Sequence, residues 1–289
     1  MLATSVLIVM TEFLNNQSLL LVFLFAIGLA VGSFVNVLVL RLNTGLTLRG
    51  RSRCFSCLER LKWYDLIPLV SYASIRGRCR YCRSKISFQY PIVEILTGII
   101  FLSVGYITSP VSILPWSVVP VVTSYQVLRY LLASAFFTTL LAISVYDISH
   151  KIIPDQLSSA LLAIAVLYEL NTLYAFFDRE TFKLDIMSAF GAFLFFAGLW
   201  FLSQGRWMGF GDAKIAFPIG LFLGHPWTII AILFAFWSGA IIGITMLVLK
   251  KYTRKSEVPF APFLAFGAFV GYLFAGTDIL MWYYSSIGL

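Results

Sequence analysis

Charge is what this sequence has least of. Of 289 residues only 12% are Asp, Glu, Lys or Arg, whereas 60% are hydrophobic and the mean hydropathy is +0.90. So little charge cannot coat a water-soluble globule, and a soluble domain is excluded. Apolar runs long enough to cross about 30 Å of hydrocarbon, roughly 17 to 25 residues each, recur along almost the whole chain. About eight are predicted, near 18–40, 92–108, 127–147, 156–172, 185–203, 211–224, 227–249 and 260–284. No small-residue cleavage site follows the first; Arg41 and a polar loop do, so this run is a permanent span and not a secretory signal. The expected fold is all-α, a polytopic transmembrane bundle, because each span must satisfy its backbone internally.

The excess of Lys and Arg over acids is concentrated between 41 and 90, where eleven of them face only Glu59 and Asp65, a net +9. Loops rich in Lys and Arg stay in the cytosol, so this one is placed inside and the start of the chain, whose only charge is Glu12, outside. Counting crossings then puts 109–126, which has no Lys or Arg, outside. Lys151, Arg206 and the cluster Lys250, Lys251, Arg254 and Lys255 fall inside, and the mixed segment from Asp178 to Asp185 outside. The short run 211–224, which holds Pro218, must cross for the last basic cluster to face inward. The basic loop also has the charge of a nucleic-acid patch, but orientation accounts for it and no nucleic-acid partner is expected.

Cysteine is confined to that loop: Cys54-Phe-Ser-Cys57 and Cys79-Arg-Tyr-Cys82, with 21 residues between the pairs. Two such knuckles wrap four thiolates around one Zn²⁺, and four protein ligands leave no open position, so the site is expected to be structural, a small zinc-ribbon-like insertion. Arg53, Arg78, Arg80 and Arg83 beside it would favour thiolates. Two disulfides are the other use of four cysteines, disfavoured in a reducing cytosol, and spacing alone leaves an iron–sulfur cluster open. The chain is thus expected to divide into a first span (1–40), a basic four-cysteine cytosolic subdomain (41–90) and a transmembrane bundle (91–289).

A charge at a span centre costs about 2.5 to 3.5 kcal/mol, so each acid beside an apolar run is a functional candidate. Asp147 closes one run and Asp212 opens another, in Gly209-Phe210-Gly211-Asp212, and the predicted topology puts both at one cytosolic depth. Two adjacent carboxylates share a proton, one activating a water and the other donating to a scissile carbonyl, which is aspartyl protease chemistry. Gly209 and Gly211 would permit a tight helix start and close approach of an extended substrate. Lys214 is a candidate to bias the charge of Asp212. Asp155, after Pro154, reads as a helix N-cap and His150 as a solvated interfacial residue. Glu94 and Glu257 are candidates to hold a substrate amine or basic leader residue, with ion pairing to the Arg-rich loop as the alternative use. The many Phe and Trp read as lipid-facing bulk and interfacial anchors.

Taken in order, Gly32-Ser33-Phe34-Val35-Asn36-Val37, the two cysteine knuckles, Trp63 to Pro68, Tyr90-Pro91 with Glu94, Asp147 to Asp155, the box at 209–212 with Lys214, and Pro259-Phe260-Ala261-Pro262-Phe263 resemble the prepilin peptidases, or type IV leader peptidases. The resemblance covers roughly 28 to 270 and departs at Ala261, where the family usually has Gly. It implies removal of a short basic leader from a pilin or pseudopilin at the cytosolic face of a bacterial inner membrane, with Asp147 and Asp212 as the catalytic pair. It also implies that members with the cysteine loop often N-methylate the new N-terminus using S-adenosylmethionine, although 41–90 has no glycine-rich nucleotide loop. Presenilin-like proteases share the two aspartate boxes, but their Pro-Ala-Leu tripeptide is absent here. From another class, a cation or proton transporter could use paired aspartates, yet such sites lie near the midplane and this sequence shows no internal repeat.

Overall fold

A computed structural model describes residues 17–44, 50–108, 119–249 and 258–276. Glu12, Arg49, the 109–118 segment, the cluster Lys250, Lys251, Arg254 and Lys255, Glu257 and the far end of the predicted 260–284 span lie outside the described residues. Among the described residues the regular structure is helical, and extended pairing is limited to two isolated bridges, Arg53 with Arg60 and Arg78 with Lys85. The chain forms two compact units, 1–116 and 117–289, so the second predicted span groups with the first.

In the first unit, α1 (Gln17–Arg41) and α3 (Gln89–Thr108) are joined by the cysteine loop, which holds a 3₁₀ turn at Trp63–Leu66 and a short helix α2 (Val70–Ser74). The two long helices pack together because small residues line their crossing. A Cβ on Gly28 would lie 2.7 Å from the Thr97 carbonyl oxygen, and one on Gly32 2.7 Å from the Glu94 Cα. Lipid tails are as apolar as Leu, so helices in a bilayer are held by such close backbone approach and not by the hydrophobic effect.

The second unit alternates up and down: α4 (Val119–His150), α5 (Asp155–Phe176), α6 (Arg179–Ser203), α7 (Phe210–Leu223), α8 (Trp227–Val248) and α9 (Ala261–Gly276). Six of the described helices, α1, α3, α4, α5, α6 and α8, are long and apolar enough to cross a membrane. The protein is a multi-pass membrane protein. The expected eight spans correspond to eight helices, but α7 has only 14 residues and α9 only 16 described ones. At 1.5 Å per residue α7 is about 21 Å long, too short to face lipid across the hydrocarbon. It lies instead in the middle of the unit, against α5, α6, α8 and α9, with Asp212, Ile215, Ile219 and Phe222 all buried.

The aromatic residues divide, contrary to the expectation that they all face lipid. Phe136, Phe137, Phe196 and Phe222 are core residues, and Phe136 stacks on Phe222 with ring centres 4.0 Å apart. Tyr168 and Tyr272 close the same cluster. A short central helix leaves space at its far end, and flat rings fill it. Phe201 and Trp207, by contrast, are exposed.

Candidate active site

Asp147 sits in the last turn of α4 and Asp212 in the first turn of α7. Because alternate helices run in opposite directions, those two ends share one side of the bundle. Both carboxylates are nearly closed off, at 5% and 6% exposure, and they lie within electrostatic reach of each other. Two acids buried together is an arrangement that a fold does not keep for stability, since each loses hydration and, among the described residues, neither has an ion pair to replace it.

Each is held from the backbone. The N–H of Ala261, at the start of α9, donates to Asp147 Oδ2 at 3.3 Å. Ser144, one turn earlier on α4, donates to the Leu140 carbonyl at 2.7 Å and lies 3.5 Å from the Ala261 carbonyl, so α9 begins directly against the Asp147 face of α4. Gly209 is the N-cap of α7 and its carbonyl accepts the Asp212 N–H at 3.2 Å. Gly211 is small for a local reason: a Cβ there would lie 3.0 to 3.2 Å from three carbons of Ile153. The space beside Gly209 is open, so of the two glycines only this one leaves room for an approaching chain.

Lys214 turns away from Asp212 and donates to Asp155 Oδ1 at 2.7 Å, tying the start of α5 to the first turn of α7. Asp155 is therefore not an N-cap: Pro154 holds that position and the Asp155 side chain takes the ammonium instead. His150 is exposed and stacks on Tyr146.

In the cysteine loop the two knuckles are built alike. The Cys54 N–H donates to the Glu59 carbonyl and the Leu58 N–H back to the Cys54 carbonyl, and Cys79 with Ser84 and Arg83 repeats the pattern. Both knuckles turn on a residue in the left-handed region, Leu58 (φ 60°) and Arg83 (φ 58°). The four sulfurs lie within 4.8 Å of one another, and Cys54 Sγ is 3.8 Å from Cys82 Sγ. A tetrahedron of thiolates about 2.3 Å from a metal has edges of about 3.8 Å, so the cluster fits one ion. None of the four is paired as a disulfide. The Ser84 hydroxyl, 3.1 Å from Cys82 Sγ, and the Ser84 backbone hold the Cys82 thiol below its ordinary range. Burial opposes ionisation of Cys54, but the N–H groups of Cys57 and Ser56 outweigh it and bring that thiol down to about 6. Arg80, expected beside the thiolates, instead donates to Asp65 Oδ1 at 2.8 Å.

Residues 26–108 match the Bacterial Peptidase A24 N-terminal domain, and residues 134–244 match the Type IV leader peptidase family. The chain is 31% identical over 234 residues to the prepilin leader peptidase/N-methyltransferase of Legionella pneumophila, covering 81% of this chain and 75% of that one. The protein of the same name from Myxococcus xanthus is 33% identical over 78% of this chain and 63% of its own length. The one from Xanthomonas campestris is 28% identical over 91% and 94%. This chain belongs to the type IV leader peptidase family. No solved structure matches it. These relatives are peptidases by name, and nothing supports the transporter alternative.

Within this family member, Glu94 is committed to the fold of the first unit. It is 7% exposed and accepts the Leu69 N–H at 2.9 Å, pairing with no arginine of the loop among the described residues. Beside it, the Asn36 amide donates to the Tyr90 carbonyl at 3.2 Å. Glu257 lies outside the described residues. Sequence reasoning missed the Ala261 N–H, because a backbone donor carries no side-chain signal; the Pro259-Phe260-Ala261-Pro262 string, which breaks a helix just before an apolar run, marks the place. It also passed over Arg129, which lies inside a span and donates to Tyr168 Oη at 2.9 Å and Tyr125 Oη at 3.2 Å.

Proposed function

We propose that this chain is a membrane aspartyl endopeptidase that removes the basic leader from type IV prepilins or pseudopilins at the cytosolic face of a bacterial inner membrane, and then N-methylates the new N-terminus with S-adenosylmethionine as methyl donor. The observation that carries the proteolytic part is the burial of Asp147 and Asp212 together at one end of the bundle, with no salt bridge to either among the described residues. In the reaction the ionised aspartate takes a proton from a water, whose oxygen attacks the scissile carbonyl carbon. The protonated one donates to the carbonyl oxygen, and the amide nitrogen leaves with a proton as the C–N bond breaks. The Ala261 N–H on Asp147 and the turn at Gly209 before Asp212 keep both carboxylates aimed. Gly211, packed on Ile153, and Lys214, paired with Asp155, support this end of α7 without touching the reacting atoms.

Cys54, Cys57, Cys79 and Cys82 would hold one Zn²⁺, which supplies folding energy to the loop and no chemistry. The methyltransferase part rests on the relatives' names and on the match of 26–108.

The test is to incubate wild type, Asp147→Asn and Asp212→Asn in detergent with a synthetic pilin precursor, with and without S-adenosylmethionine, and weigh the products by mass spectrometry. Cleavage after the leader Gly by wild type, lost by at least about 10³-fold in each Asn variant, is expected, since each aspartate has a role that the other cannot fill. An added methyl mass reports the second activity. Cleavage that survives either substitution in folded protein would sink the dyad.

A further inference from the structure

Within the cysteine loop, the segment from Trp63 to Val70 has the composition of an interior and the exposure of a surface. Trp63 is 77% exposed and Val70 63%, and Leu66 and Ile67 between them are also exposed. Its only acid is turned inward: Asp65 takes Arg80 on one oxygen and Tyr81 and the Lys62 N–H on the other. The exposed charges nearest the segment in sequence are the cations Arg60 and Lys62, with the exposed acid Glu59 one residue further away.

The depth of this segment is set by one hydrogen bond. The Leu69 N–H is pinned to the Glu94 carboxylate, and Glu94 lies five residues into α3. Twenty residues make α3 about 30 Å long, the thickness of the hydrocarbon itself, so Glu94 lies about 7 Å inside its edge. Leu69 accepts a left-handed backbone, φ 58°, to turn there. Interfacial segments rest about 5 to 10 Å into the headgroup and acyl boundary.

We infer that Trp63–Val70 is an interfacial anchor. Trp63, Leu66, Ile67 and Val70 lie among the acyl chains of the cytosolic leaflet, and Arg60 and Lys62 bind anionic headgroups. Lipid is the occupant because the loop is tethered to spans at both ends and pinned between them, so this face is presented at the bilayer surface before any other partner arrives. Aromatic rings flanked by Lys and Arg are the side chains that this boundary selects. The inference is independent of the proteolytic assignment, and it makes the four-cysteine subdomain a body seated on the membrane.

The experiment uses the full chain in nanodiscs of phosphatidylcholine with phosphatidylglycerol, with and without acyl-chain bromine, and takes Trp63 emission as the difference between wild type and Trp63→Phe. Loss of that emission in brominated discs, with protection from aqueous acrylamide, is expected. Emission quenched by acrylamide and indifferent to bromine would overturn the anchor. Quenching by bromine is further expected to fall when phosphatidylglycerol is withdrawn, and equally in an Arg60→Gln, Lys62→Gln double variant. Bromine quenching unchanged by both would overturn the anionic-headgroup part.

Discussion

At the residue scale, the two knuckles turn on Leu58 and Arg83, side chains that left-handed backbone disfavours by roughly 1 to 2 kcal/mol. Glycine removes that strain but costs the folding chain about 0.5 to 1 kcal/mol of extra entropy. Both side chains are exposed, so Leu58→Gly and Arg83→Gly should each stabilise the loop by up to about 1 kcal/mol. The rate of thiol release on heating measures this. Arg83→Val should accelerate release, because a β-branched residue tolerates positive φ least.

Asp65 predicts a pH dependence. Burial alone would raise it, but Arg80, the Lys62 N–H and Tyr81 hold its carboxyl below the usual range. A carboxylate lowered on folding contributes stability that is fully present above its unfolded pKa, about 3.9, and is lost as pH falls through the folded value. Wild type should therefore show slower amide exchange over 62–81 than Asp65→Asn at neutral pH, with the difference closing below about pH 4. A difference that widened with acid would contradict the assignment. Lys214 shows what a sequence conceals at this scale: its partner Asp155 is 59 residues away, and the spacing to Asp212 says nothing about it. An exposed pair is worth about 0 to 1 kcal/mol, so Lys214→Gln should lower stability within that range and leave cleavage within about a few-fold of wild type.

At the element scale, α7 is the helix on which the second unit depends. It is short and holds Pro218, and its burial against four neighbours accommodates both. A helix enclosed by protein need not match the bilayer, and other groups can satisfy what proline leaves unpaired. Gly220 lets it approach α6, where a Cβ would meet Ala189 Cα at 2.7 Å and the Ser188 carbonyl at 2.8 Å. Gly224 ends it at φ 67°, ψ −172°, a conformation essentially reserved for glycine, with the Asp185 carboxylate occupying the position of a Cβ. Asp185 also accepts the His225 N–H there. Gly224→Ala should destabilise the bundle by about 1 to 3 kcal/mol, read as a lower Tm in detergent. The apolar run 211–224 located this helix to within a residue or two, but an apolar run does not say whether a helix faces other helices or lipid.

At the scale of the whole molecule, the helical units and the cysteine loop draw on different sources of stability. The helices rest on internal backbone bonds and close packing in lipid. The loop between 50 and 88 has few buried side chains, Cys79 among them, and metal binding to four thiolates would supply its folding energy. A strong chelator should thus expose this loop to protease while leaving helix content unchanged by circular dichroism. Loss of helicity in step with metal loss would refute that division.

Some properties of this protein follow from the sequence alone. Membrane insertion, the number of apolar helices, the four clustered thiols and the two aspartates are legible because each depends on composition or on spacing within a short stretch, where geometry is local. Tertiary structure alone decided that Glu94 holds Leu69, that Lys214 serves Asp155, that the Ala261 N–H reaches Asp147 and that Phe136 and Phe222 fill the core. Those outcomes depend on which helices meet and on how each is rotated about its axis, and in a chain that is apolar on every face the residue pattern leaves that rotation undetermined.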